Sequence, residues 1–501
     1  MQETVNKYLL KLGYANKIDG FNDKYLSHPN YPSLLAVTDS LTQLEIVNVA
    51  VNVPFNQIGN LPDVFVTQFI IDDDKEFFIV EKIEDNYFIF YDNHKKNKYQ
   101  IEEIRNHWTG LVLLLEENDS KNDVEKKSYQ YFYFLLFTIG LYSIIEQNKT
   151  VYSFLQLLFT VIGLFFSVEI TKSIFHNEGL TNGSKFCNKK TNFSCNEIIK
   201  SNLVVFKKYF FFVDLPIIFF SFSFLLQILF PTLIIIVGIL SLFSIPIVIY
   251  SIYYQSYIAK RWCVLCLVIS LTLSINTILL LLNFKFIKVE SIDVYKSLIL
   301  LVMVYLFWYS IKSITLKSII LKKHVNSLLR FKRNIEVFEK VSTKVQLDYE
   351  GLNLIKLGDD NANNTIVLFI SPSCSFCDVA FKESLEIIEK NKNKFNLMIG
   401  FNVNINNNEN PYVNIAVTIQ NLYFLKKDYK NALIDWHIKK LKIEDWIHKW
   451  TINNKEPDKI LQSHYYWCLD NDLQYTPVRI FNNYLLNENY DLKDIIYFLK
   501  D

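Results

Sequence analysis

The chain has 501 residues, room for about three domains of ordinary size. Its 52 basic and 51 acidic residues leave a net charge of +1, without the basic excess of an electrostatic nucleic-acid binder. Seven cysteines exclude a disulfide-dense secreted scaffold, and 12 glycines with 11 prolines exclude collagen-like or Pro-rich disordered chains. Residues 1–128 are polar and read as a small α+β domain. Apolar residues at helical spacing predict helices over Tyr8–Leu12 and Ser33–Leu44. Alternation predicts strands over Val64–Ile71, Phe77–Lys82 and Tyr87–Tyr91, closed by one over Trp108–Leu115. The first 30 residues contain no apolar core, so no cleavable signal peptide is expected.

The middle of the chain is nearly free of charge. Ser128–Ile145 and Cys263–Phe284 carry none, and Leu215–Ala259 is one uncharged run long enough for two spans. Ser297–Ile311 is shorter, with Lys296 and Lys312 placed to snorkel. A bilayer core takes about 20 apolar residues per helix. The pattern predicts six spans, near 129–147, 150–173, 208–229, 231–254, 263–284 and 296–314. The first must also act as the membrane-targeting signal. A basic helical linker follows over Ile319–Glu339, and a strand–helix–strand pattern begins at Tyr349. Within it, Asn364–Ser371 is an apolar β-rich run that stops at Pro372-Ser373-Cys374-Ser375-Phe376-Cys377, and Asp378–Lys390 continues as an amphipathic helix.

Six of the seven cysteines pair by spacing: Cys187 with Cys195, Cys263 with Cys266, and Cys374 with Cys377. A Cys-x-x-Cys between a buried strand and a helix is a redox geometry, because the free N–H groups of the helix N-terminus favour a thiolate at Cys374. Thr476-Pro477, followed by a β run, resembles the cis-proline loop of the thioredoxin fold. A zinc half-site at Cys374 would need a second pair, and only Cys468 and scattered histidines are on offer. Cys263 and Cys266 follow Lys260-Arg261-Trp262 at a membrane boundary. They read as two inert buried cysteines or as a dithiol placed to meet a lipid-soluble electron acceptor. Cys187 and Cys195, in the polar stretch His176–Lys208, suit either zinc or a loop disulfide. Cys468 is either a core cysteine or an auxiliary thiol near Cys374.

Over about residues 130–501 these features resemble the vitamin K epoxide reductase family fused to a thioredoxin-like domain, as in bacterial disulfide-forming systems. Cys187 and Cys195 fit its loop cysteines, and Ser201 its loop serine. Asp214-Leu215-Pro216 fits the motif opening the next span, and Arg261-Trp262-Cys263-Val264-Leu265-Cys266 the active-site helix. The resemblance implies a relay. Cys374, with Cys377 as partner, oxidises a client dithiol; electrons pass to Cys187, through Cys195 to Cys263, and from Cys266 to a menaquinone or ubiquinone. It implies no metal. One departure is Ser270, where the family has a tyrosine four residues after the second active-site cysteine.

The N-terminal domain resembles the papain-like peptidase that removes double-glycine leaders from bacteriocin precursors. His28-Pro29-Asn30-Tyr31-Pro32-Ser33-Leu34-Leu35, Phe90-Tyr91-Asp92 and Trp108-Thr109-Gly110 carry the likeness. The peptidase chemistry is missing. No cysteine precedes Cys187, and Glu76-Phe77-Phe78-Ile79-Val80 has Phe where a His is expected, with Asp92 alone remaining. The likeness implies a non-catalytic binding domain, with His28 a structural turn residue.

Together the resemblances imply a multidomain membrane protein: a degenerate leader-peptidase-like α+β domain at 1–120, an α-helical transmembrane bundle at 129–314 with a four-helix redox core, a linker at 315–345, and an α/β thioredoxin-like domain at 346–501. The implied function is that of an oxidoreductase, a quinone-linked thiol oxidase forming disulfides in exported proteins or peptides, bacteriocin-like or modified peptides among them, with no nucleic-acid partner. The alternative is a peptide-binding or export accessory with a structural redox core; the reductive direction, quinol to substrate, is a third reading. Six spans put both soluble domains on the side of the redox loop. Disulfide formation belongs outside the cytoplasm, so the expected setting is the periplasmic face of a bacterial inner membrane. The basic residues of the loop, of Lys260-Arg261 and of Lys322–Arg333 run against the positive-inside rule and leave the inverted orientation open.

Overall fold

The computed structural model describes residues 1–71, 74–83, 86–90, 96–118, 138, 142, 151–175, 214–260, 262–282, 290–348, 351–359, 361–407, 409–450 and 458–499. The chain packs as two compact units, residues 1–26 with 32–324, and residues 27–31 with 325–501.

The first unit opens with helices α1 (Gln2–Lys11), α2 (Ile18–Leu26) and α3 (Leu34–Thr42), the last capped by Ser33, whose hydroxyl accepts from the Ala36 N–H. A six-stranded antiparallel sheet follows: β1 (Asn48–Asn52), β2 (Val64–Ile71), β3 (Asp74–Ile83), β4 (Asn86–Phe90), β5 (Lys96–Tyr99) and β6 (Trp108–Leu115), in the order β1-β6-β2-β3-β4-β5. The short helix α4 (Ile101–Arg105) links the last two strands. Alternation located the apolar strands; β1, with mostly exposed side chains, and the helix Ile18–Leu26 carry a weaker pattern and were not anticipated. Trp108 anchors the sheet among Phe55, Phe65 and Phe69 and donates its indole N–H to Val53 O at 2.9 Å. Gly110 sits at φ 88°, and a Cβ there would strike Asn52 Oδ1, so the Trp-Thr-Gly motif needs its glycine. Phe78 is buried against Phe69 in the core of the sheet. His28, in the short 27–31 stretch that belongs to the second unit, is buried, its Nδ1 accepting from the Asn30 N–H at 3.1 Å, the bond of a turn residue.

Among the described residues five apolar helices come next: α5 (Val151–Phe175), α6 (Asp214–Leu229), α7 (Ile234–Tyr253, continued by a π-helical turn, Tyr254–Ile258), α8 (Val264–Leu282) and α9 (Ser291–Lys332). Four of them, all but the 16-residue α6, are long and apolar enough to cross a bilayer. This is the architecture of a multidomain membrane protein. Small residues set the closest approaches: a Cβ on Gly163 of α5 would meet the Phe220 ring of α6, and one on Gly238 of α7 would meet Leu280 of α8. The Gln227 amide of α6 donates to Thr160 Oγ1 of α5 at 2.9 Å.

The span predicted at 129–147 lies outside the described residues apart from Thr138 and Tyr142. The last span and the basic helical linker predicted after it form one continuous helix, α9, of 42 residues. No glycine or proline interrupts Lys312–Lys332, so nothing in the backbone chemistry stops it. It ends before Asn334, whose side chain accepts from the N–H groups of Glu336 and Val337 and starts α10 (Ile335–Val341).

The second unit is built on a five-stranded sheet of β7 (Ile355–Gly358), β8 (Asn364–Ile370), β9 (Phe395–Phe401), β10 (Val478–Phe481) and β11 (Tyr484–Leu485), in the order β11-β10-β8-β9-β7. β8 and β9 run parallel, crossing over through α11 (Ser375–Lys390); the other pairs are antiparallel. β8 is buried along nearly its whole length, which explains its unbroken apolar run. Between β9 and β10 the chain inserts α12 (Val413–Phe424), α13 (Tyr429–His437), α14 (Ile443–Trp450) and α15 (Asp458–Asp470).

Candidate functional site

The first dithiol lies where β8 hands over to α11. Cys374 is the N-cap residue of α11, half-buried, and Cys377 is fully buried one turn in. The Ser371 N–H donates to Cys377 Sγ at 3.4 Å. Thr476-Pro477 is a cis peptide bond, and Thr476 O lies 3.5 Å from Cys374 Sγ. The strand–Cys-x-x-Cys–helix and the cis-proline segment thus meet, although about 100 residues separate them in sequence. Burial pushes the Cys374 thiol up, but hydrogen bonding by Thr476 and Cys377 and by the N–H groups of Cys377 and Phe376 outweighs it, so the thiol is held below its ordinary value. Burial pushes Cys377 up to about 12. One sulfur is the accessible and more acidic thiol and the other a buried thiol. Phe376, Val379 and Tyr475 leave apolar surface exposed around Cys374.

The helical insertion grips this loop at two points that the sequence did not reveal. Trp436 Nε1 donates to Pro372 O at 2.8 Å. The buried His437 places Nδ1 2.8 Å from Asp378 Oδ1, and Lys440 reaches the other oxygen of the same carboxylate at 3.3 Å. Asp378 follows Cys377 directly and was visible there; Trp436 and His437 lie some sixty residues on, with no local signal tying them to the dithiol.

Cys468, on α15, is buried in an apolar cluster with Val345, Leu352, Leu354, Phe369 and Val478, and burial pushes its thiol up to about 12. Those are the surroundings of a core residue. His464, one turn earlier, accepts from the Phe401 N–H at 3.2 Å and bonds Leu352 O at 2.6 Å, so both ring nitrogens are committed to the backbone. Burial pulls it down to about 4. Among the described residues no three metal-ligating side chains converge.

The second dithiol opens α8. Cys263 is fully buried, Cys266 is half-buried, and their sulfurs are 2.6 Å apart. Cys266 lies on the wall of a partly open cavity of about 330 Å³ between the apolar helices. Leu215, Pro216 and Phe222 of α6, Ile247 of α7 and Ile269 of α8 give it an apolar lining, and Ser270, one turn beyond Cys266, is one of its few polar groups. Asp214, first residue of the same Asp-Leu-Pro motif, turns instead to α9: Lys312 Nζ is 2.5 Å from its Oδ2 and Trp308 Nε1 donates to Oδ1 at 3.2 Å. Cys187, Cys195, Ser201, Asp92 and Arg261 lie outside the described residues.

Fold and site together define a membrane-embedded dithiol protein with a thioredoxin-like unit. The Peptidase C39 family model matches residues 27–120, inside the N-terminal segment whose motifs suggested that likeness. No curated protein matches the chain. Among solved structures, BdbD from Bacillus subtilis is 18% identical over 31% of this chain and 94% of its own, with a TM-score of 0.25. ScsC from Proteus mirabilis, in a compact conformation, is 16% identical over 37% of this chain and 91% of its own, at a TM-score of 0.26. The peptidase domain of Streptococcus ComA is 14% identical over 21% of this chain and 88% of its own, at a TM-score of 0.18.

Proposed function

We propose that the protein is a quinone-linked thiol oxidase that forms disulfide bonds in exported proteins or peptides. The observation that carries this reading is Cys266 on the wall of an apolar cavity among membrane helices, with Cys263 behind it. Such a cavity suits a lipid-soluble ring, and a dithiol on its wall suits a two-electron acceptor. The likeness of Arg261–Cys266 and of Asp214-Leu215-Pro216 to the vitamin K epoxide reductase family supports the same assignment.

In this scheme a client thiolate attacks Cys374 of the oxidised pair, and the Cys374–Cys377 bond breaks. The second client thiol then attacks the mixed disulfide and releases Cys374. A thiol held below its ordinary value leaves readily, which drives the pair toward the reduced form and the client toward the disulfide. The exposed Phe376 and Tyr475 supply an apolar rim for the client, and Pro477 shapes the facing loop. The reduced pair is reoxidised by the Cys187–Cys195 disulfide, with Ser201 in support, and that pair by Cys263–Cys266. Each exchange moves two electrons and two protons. A quinone in the cavity, menaquinone or ubiquinone, accepts them and leaves as quinol. Cys468 takes no part and serves packing.

The N-terminal domain is a binding domain without peptidase activity, holding a peptide or leader segment. The redox units face the periplasm of a bacterial inner membrane. The test is quinone-dependent oxidation of a reduced model peptide by membranes carrying the protein. Cys266→Ala is expected to abolish it; an unchanged rate would sink the relay.

A further inference from the structure

The relay leaves a buried amide side chain on the cavity wall without a role. Gln255 is buried, at 1% exposure, in the π-helical turn Tyr254–Ile258 that extends α7. Its Oε1 accepts from the Cys263 N–H at 2.9 Å, and its Nε2 donates to Ser251 Oγ at 3.1 Å. Gln255 and Ser251 both line the cavity that Cys266 faces.

Three facts converge there. The Cys263 N–H precedes the first turn of α8, where no intrahelical carbonyl is available to it. Cys263 is wholly buried, so water cannot serve instead. Lys260, at φ 48°, turns the chain between the π-turn and Cys263 and lets a side chain eight residues back reach that N–H. π-turns inside α-helices gather at functional sites because they re-aim side chains. Here the turn aims an amide at the start of the redox helix.

We propose that Gln255 is the positioning residue of the membrane dithiol: its carbonyl oxygen fixes the Cys263 backbone, and so the turn that presents Cys266 to the cavity. Ser251 orients the amide from the other side. Gln255 does not exchange electrons; it sets the distance and direction of the sulfur that does. This rests on the quinone reading.

The test uses full-length protein in membranes, with a short-chain ubiquinone analogue and a reduced peptide. Gln255→Met removes the acceptor at similar volume, while Gln255→Glu keeps an oxygen for the Cys263 N–H. Positioning predicts that Met lowers kcat about tenfold or more with KM for the quinone within about twofold, since small misplacements of reacting groups act on rate. Glu is expected to restore kcat to within about threefold of wild type. Single-turnover peptide oxidation by Cys374–Cys377 is expected to be unchanged in both. A wild-type kcat in the Met variant overturns the proposal, and so does an equal loss in both variants or a loss seen only in KM. If the wild type itself shows no quinone-dependent turnover, the functional reading fails instead, which separates the two.

Discussion

At the scale of single residues the two sulfurs of the soluble pair are set apart by where α11 begins. Cys374 caps the helix and Cys377 is packed under it. In the reduced protein, iodoacetamide at pH 7 is therefore expected to label Cys374 and spare Cys377, which holds its proton up to about 12. Fragmentation of the single tryptic peptide that holds both cysteines, Leu357–Lys382, decides the order, and preferential labelling of Cys377 would overturn it. His464 gives a second pH effect, on stability. It is neutral in the fold down to about 4, whereas the unfolded side chain takes a proton near its ordinary value of about 6.5. The unfolded state therefore binds the extra proton between those values, and stability falls as pH falls through that window, by up to about 1.4 kcal/mol per pH unit. His464→Leu is expected to flatten that part of the profile in tryptophan-monitored unfolding. Of the candidate residues, Cys374, Cys377 and Thr476-Pro477 were legible because their spacing and neighbours announce a strand–loop–helix. Trp436 and His437 were not, because only the folding of the insertion brings them to the loop.

At the scale of elements, close helix contacts and a buried ion pair between α6 and α9 help organise the membrane bundle. Gly238 lets α7 lie against Leu280 of α8, the contact that sets those two helices together. Gly238→Val forces them apart; overpacking of this kind costs about 1–3 kcal/mol. It is expected to lower the detergent-extracted Tm and to slow quinone-dependent turnover together, because α7 and α8 both wall the cavity. Asp214 and Lys312 are about nine-tenths buried and tie α6 to α9. Lys312→Met alone strands a buried carboxylate and is expected to cost about 3–5 kcal/mol, whereas the double change Asp214→Asn with Lys312→Met recovers much of it. Equal losses in the single and double variants, measured by thermal unfolding in detergent, would contradict a paired charge. Hydropathy located α5, α7 and α8 closely, since apolar length is what a bilayer selects. The helical linker predicted after the last span is continuous with it in α9, because no glycine or proline stops the helix there.

At the scale of the whole molecule, the proposed relay makes a stoichiometric prediction. In membranes stripped of quinone, a reduced peptide is expected to be oxidised in a single burst, limited to the disulfides already present, and adding a quinone restores turnover. Continuous turnover without quinone would exclude the cavity as the electron exit. Orientation is tested separately: an impermeant thiol reagent on intact cells, with Cys374 the one cysteine left, is expected to label it without membrane rupture. Labelling only after rupture would place the redox face in the cytoplasm, in keeping with the basic flanks of the spans.

By itself the sequence determined the segregation of charge, the apolar lengths and the spacing of the cysteines. These are local properties, and local physics is enough to read a spanning helix or a helix-capping Cys-x-x-Cys. Tertiary structure alone decided that Cys468 is core, that Asp214 serves Lys312 while Leu215 and Pro216 wall the cavity, and that Gln255 meets the backbone of Cys263. Each depends on which helix faces which, and that is settled by packing between segments far apart in the chain rather than by the pattern within any one of them.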